Sequence, residues 1–224
     1  MQRFFHPDSP LMKFMTWIER MLHVQFLWII SSLLGFIVGG LFPATAAMFA
    51  TMRRFIRLPG GFGVNDYFKE QYKENFWKAN GLGYLLLVLL YLFIQNFRSA
   101  QLMDGTVGFI FVVISFVIII ILAILFISVW GTLAHFDLGI IQLIKHTLII
   151  YSVAPVHVGA ILILLAVFGW ASYRLGILLP LVLFSMMSYA IMWLILDAIK
   201  RIDARLEARH IYSNLENKEN IEEE

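Results

Sequence analysis

Three histidines are the first residues in this chain whose spacing invites a chemical reading. His135, His146 and His157 recur every eleven residues, and eleven residues of α-helix return to almost the same face. Each step rises about 16 Å, too far for two imidazoles to hold one metal ion. No metal centre and no cofactor are expected from this set. His157 stands out alone, two residues after Pro155 and near the middle of an apolar run. An ionisable side chain at that depth is a functional candidate by default. The proline frees a carbonyl about one turn upstream, around Tyr151, which His157 or a water could bond. The plainer reading is a neutral histidine bonded to a neighbouring helix. Asp197 lies beside Lys200 and Arg201 where another apolar run ends, and reads as an interfacial ion pair. The chain has no cysteine, which removes thiolate sites and cysteine nucleophiles. It shows no phosphate-binding loop, zincin motif or nucleophile elbow. These absences point away from an enzyme.

The elements that position these residues are membrane helices. The 224 residues are 60% hydrophobic and only 14% charged, against about 25% charged in an ordinary soluble domain. Several apolar runs reach the roughly 18 residues a bilayer demands. The expected fold is an all-α integral membrane protein with five or six transmembrane helical elements in one bundle, plus cytoplasmic amphipathic helices. Residues 1–212 form the single membrane-embedded domain, and the acidic stretch 213–224 is a disordered tail by composition.

Ser9 is a plausible N-cap with Pro10 at the first helical position. The amphipathic lead-in that follows is too long for the basic region of a secretory signal. It runs into a first apolar segment near Val24. Residues 24–52 are then read as one broken span, giving five crossings, or residues 24–56 as a short helical hairpin, giving six. Positive charge favours six: only Arg98 and Arg174 of the seventeen Lys and Arg then lie outside. Both termini are cytoplasmic in that topology. The basic residues are accounted for by topology, so nucleic acid is not an expected partner.

The hairpin carries the most distinctive stretch. Gly39, Gly40 and Pro43 supply turn chemistry, and Ala44, Thr45, Ala46 and Ala47 leave a helix face thin enough for close packing. Arg53, Arg54 and Arg57 then mark the cytoplasmic water line as candidate contacts to anionic lipid or to a partner. Downstream, Phe68, Tyr72 and Phe76 recur every four residues on one helix face, with Lys73 among them. That stripe is a second candidate surface for lipid or partner.

GLFPATAAMFATMRRFI, followed by YFKEQYKENFWKANGLG, resembles the YesL-like membrane proteins (domain of unknown function 624). The matching positions are Trp28, Gly40, Pro43, Ala44 to Ala47, Arg53, Arg54, Phe68, Tyr72, Lys73, Phe76 and Asn80. Gln25 departs from the family's pattern, which has an asparagine there in many members. The resemblance implies no catalytic or substrate residues. It implies a non-enzymatic, multi-pass protein of the plasma membrane of Gram-positive bacteria, an accessory or regulatory component of carbohydrate ABC import, with a transporter permease as partner. The alternative is a small solute transporter or channel in its own right, using a cavity between the hairpin and the Pro155–His157 region.

Overall fold

The first helix begins where the sequence places it. In the computed structural model, which describes residues 9–58, 61–175 and 178–222, the Ser9 hydroxyl accepts the Met12 N–H at 3.2 Å and Pro10 opens the helix. This helix, α1 (Pro10–Leu34), is followed by α2 (Leu41–Arg57), α3 (Val64–Glu74), α4 (Phe76–Ala100), α5 (Gly105–His135), α6 (Ile140–Val153), α7 (Pro155–Leu175) and α8 (Leu178–Glu222). The described residues form helices and turns without strands. Gly63 caps α3.

The break between α1 and α2 comes earlier than Pro43. It is a turn over residues 35–40 in which Phe36 and Ile37 take φ of 53° and 62°, a conformation that costs an L-residue roughly 1–2 kcal/mol. The turn is tied by the Ile37 N–H to the Ser32 carbonyl at 2.8 Å and by the Leu41 N–H to the Ile37 carbonyl at 3.0 Å. Gly40 allows the close return, since a Cβ there would stand 2.6 Å from the Ser32 carbonyl oxygen. Pro43 is the third residue of α2. Its missing N–H is no loss there, because the first turn of a helix has no intrahelical acceptors.

Among the described residues, four helices are long and apolar enough to cross a membrane: α4, α5, α7 up to Arg174, and the Leu183–Arg205 part of α8. This count differs from the five or six expected crossings, and the difference lies in the hairpin. α1 carries Lys13, Glu19, Arg20 and His23 in its first half, and α2 has 17 residues ending in arginines. The hairpin turn docks on the first turns of α4, where Asn80 Nδ2 donates to the Gly39 carbonyl at 3.0 Å and the Tyr84 hydroxyl donates to the Val38 carbonyl at 2.5 Å. From Tyr84, α4 continues to Ala100, about 24 Å beyond the turn. On α8 the hairpin reaches Phe184 through Trp28. Gly131 of α5 abuts Ile195 of α8, so Phe184 stands level with the middle of α5. The hairpin turn thus meets α4 near its start, and most of α4 extends beyond it.

A second departure, which leaves that count unchanged, is the apolar run that holds Pro155 and His157. It is two helices, because the residue before a proline is driven out of helical geometry, and Ala154 adopts φ −125°, ψ 61°. α6 returns along α5, with the Thr147 hydroxyl donating to Thr132 at 3.0 Å in a buried pair. α7 starts afresh at Pro155.

The core is built around α2. Every residue from Phe42 to Met52 is buried, and α2 touches α1, α3, α4, α5 and α8. Met21 and Val24, Phe68, Leu82 and Leu86, Val129 and Trp130, and Met192 and Ile195 close over it from those helices. A helix covered on all sides must be apolar all round, and small wherever a neighbour comes close. That is the pattern of the PATAAMFATM run. At the other extreme α8 continues as a helix to Glu222. It thus passes Ser213 into the acidic stretch, where composition predicts disorder but Leu, Glu and Lys are good helix formers.

Candidate functional site

Three clusters gather the polar and aromatic side chains, and the first is the seam of the hairpin. The Trp28 indole donates to Thr45 Oγ1 at 3.1 Å, and the Thr45 hydroxyl donates back to the Leu41 carbonyl at 2.7 Å. Phe42 stacks on Trp130 at 5.7 Å and meets the edge of Tyr84 at 5.1 Å. Gly83 lets Phe42 lie there, since a Cβ at that position would overlap its ring. These rings surround an apolar cavity of about 150 Å³, with Thr45 the one hydroxyl on its wall. Ala44, Ala46 and Ala47 are buried against the neighbouring helices. The glycine, alanine and threonine positions read from the sequence therefore come together as one packing motif.

The second cluster is a collar at the end of the bundle where α2, α3 and α4 meet the α5–α6 connection. Arg53 Nη1 donates to the His135 carbonyl at 3.2 Å, and Arg57 Nη2 stands 3.4 Å from His135 Nδ1. The Arg54 guanidinium lies between Tyr67 and Phe62, 4.3 and 4.7 Å from their ring centres, a cation–π arrangement on two faces. The three arginines thus tie the end of α2 to other elements. Lys78 and Asp137 form an ion pair at 2.6 Å. Its hydrogen bond holds the Asp137 carboxyl below the usual carboxylate range. Arg53, Gln71, Glu74, Lys78, His135 and Asp137 are among the walls of a polar hollow of about 520 Å³.

The aromatic stripe of α3 faces inward rather than outward. Phe68 is wholly buried, so it is a core residue and touches neither lipid nor partner. Tyr72 donates to the Ser31 carbonyl at 3.4 Å and packs against Phe76, and burial pushes its phenol pKa up. Lys69 and Lys73 remain exposed on the outer face. Period-four spacing identified the stripe, but the same spacing serves a core face and a membrane face.

The third cluster contains His157. It is the third residue of α7, near the end of the bundle rather than in mid-span. Its Nε2 stands 2.9 Å from Asp197 Oδ2, and Arg201 Nε donates to the same oxygen at 2.7 Å. The Arg201 bond is the ion pair expected within α8. The bond to His157 joins residues forty apart, and no local signal reveals it. Arg205 Nη1 reaches the Val153 carbonyl at 3.4 Å, one of the carbonyls released at the break before Pro155. These side chains border a hollow of about 500 Å³.

The hairpin cavity and the His157 hollow share no lining residue. Between them runs an apolar groove that meets the former at Met187 and the latter at Ala160. Alanine, isoleucine, leucine, valine, phenylalanine and methionine line it. A sugar hydroxyl passing there would lose its hydrogen bonds to water, at about 1–3 kcal/mol each.

Asn80 gives a direct check on the hairpin's docking. Its Nδ2 donates to both the Gly39 and the Phe76 carbonyls at 3.0 Å. Asn80→Ala leaves the part-buried Gly39 carbonyl without that donor, an expected loss of about 0.5–1.5 kcal/mol. A lower melting temperature in detergent is the expected result. Tyr84→Phe should cost less, because that side chain is partly exposed.

Residues 21–97 match the family model described as "Protein of unknown function, DUF624". The chain is 29% identical over 198 residues to the uncharacterized protein YteU of Bacillus subtilis (strain 168), covering 86% of each chain. It is 33% identical over 134 residues to the uncharacterized protein YesL of the same organism, covering 59% of this chain and 62% of YesL. Similarity to the uncharacterized protein YesV is 25% over 154 residues, or 69% of this chain and 74% of YesV. No solved structure matches the chain. The matched residues hold α2, α3 and most of α4, with the greater part of α1, which are the elements of the hairpin seam and its dock.

Proposed function

We propose that this chain, a YesL-like DUF624 protein, is a non-enzymatic accessory component of a carbohydrate ABC importer in the plasma membrane, acting on a permease partner rather than moving solute itself. The observation that carries this reading is that the passage joining the hairpin cavity to the His157 hollow is an apolar groove. A conduit for a sugar needs hydrogen-bonding groups along its length. Here the two polar hollows border the collar and the break before α7, and the aromatic cavity stays apolar. The collar supports a docking role, because residues from α2, α3, α4 and the α5–α6 connection converge on one polar surface.

In this reading both termini are cytoplasmic. Four crossings with a hairpin that enters and leaves by the same side leave Arg98 and Arg174 outside and the other fifteen of seventeen Lys and Arg inside. The six-crossing topology gave the same count, which is why charge alone could not separate them.

Purification of the tagged full chain from native membranes in a mild detergent tests the reading. A stoichiometric permease subunit is the expected companion, and reconstituted protein alone should give no sugar flux. Flux through liposomes holding only this protein would establish the transporter reading instead.

A further inference from the structure

The groove between α7 and α8 ends on charged side chains, and that junction has the chemistry of an amphiphile site. From Ala160 to Ala171 the groove follows α7 for about 16 Å, roughly half of the ~30 Å hydrocarbon core and therefore one leaflet deep. Its volume is about 490 Å³, with Ala160, Ala171 and Ala190 among its small residues and Ile163, Val167 and Met186 among its larger ones. At Ala160 it joins the hollow bordered by His157, Asp197, Arg201 and Arg205. Asp197 is already engaged by His157 and by Arg201 Nε, and that contact leaves both terminal amino groups of Arg201 for another acceptor. Arg205 bonds a carbonyl rather than a carboxylate. Its one aspartate and two arginines give the mouth one net positive charge.

We infer that this groove holds an anionic glycerophospholipid from the leaflet at the arginine-rich end, its phosphate against Arg201 and Arg205 and one acyl chain along α7 and α8. The charge at the mouth matches a phosphodiester with an uncharged headgroup. A choline headgroup would bring a second cation beside the arginines, and inorganic phosphate lacks the chain that the apolar groove would cover.

Native mass spectrometry of the full-length protein in detergent tests this with phosphatidylglycerol and phosphatidylcholine of identical chains, and with inorganic phosphate. The expected result is one retained phosphatidylglycerol, favoured roughly tenfold or more over phosphatidylcholine, and no retained inorganic phosphate. Arg205→Gln and Arg201→Gln should each reduce that preference. Ala160→Phe, or Ala171→Phe at the other end should the first variant fold poorly, should cut phosphatidylglycerol retention while the lipid-free melting temperature stays near wild type. Equal retention of the two lipids by the wild type would overturn the assignment, leaving ordinary annular lipid. So would an unchanged preference in both arginine variants, or retention of inorganic phosphate equal to that of phosphatidylglycerol.

Discussion

Gly40→Val is expected to abolish accumulation of folded protein, or to lower its stability by at least the upper end of the roughly 1–3 kcal/mol typical of overpacking. A Cβ at this position would lie 2.6 Å from the Ser32 carbonyl oxygen, 2.7 Å from that of Ser31 and 2.9 Å from the Gly35 Cα. All three obstacles are backbone, so no side chain can rotate away. The Gly40 φ of −95° is open to any residue, and the effect is therefore one of space rather than of dihedral preference. Gly40→Ala should already be damaging, and the branched valine worse. Gly61, whose added Cβ meets nothing within 4 Å, is the control: Gly61→Ala should melt like wild type. Fluorescence-detected size exclusion and detergent thermal melts read both outcomes.

Ala47→Leu is the second large effect. Ala47 is completely buried in the helix that the rest of the bundle encloses. Three added carbons must displace neighbours, at about 1–3 kcal/mol. Ala47→Ser should be close to neutral, because it adds little volume and its hydroxyl can bond back along the helix. Thr51 already does this in the same helix, donating to the Ala47 carbonyl at 2.8 Å. The ordering in thermal melts should be leucine well below serine, with serine near wild type. Leucine equal to wild type would mean that this face of α2 is not packed.

The contrast between these two sites marks what was legible in the sequence. Small residues in the PATAA run required a close neighbour whatever the topology, and Ala44, Ala46 and Ala47 are buried as that demands. Ser9 and Pro10 fixed the start of α1 through local capping chemistry alone. The depth of the hairpin was not legible, because hydropathy measures affinity for lipid and not the direction in which a short helix lies. Nor were the docking bonds from Asn80 and Tyr84, which join residues 41 and 46 positions apart. Pro155 was recognised as a helix breaker, yet it begins α7 instead of kinking a longer span, and so moves His157 from mid-membrane to the helix start. The arginines of α2 read as lipid anchors by composition. Phe62, Tyr67 and the His135 carbonyl also engage them, and those are tertiary contacts.

A single introduced cysteine tests whether α1 and α2 enter the membrane and return without crossing it. The chain has no cysteine of its own, so every signal comes from the introduced one. Phe36 sits at the tip of the turn and is 89% exposed on the protein's own surface. If the tip ends halfway through the bilayer, Phe36→Cys in intact cells should resist an impermeant thiol reagent, while Met103→Cys, in the loop between α4 and α5, reacts. Labelling of Phe36→Cys as fast as Met103→Cys would place the turn in the outer water, and the hairpin would be two crossings after all.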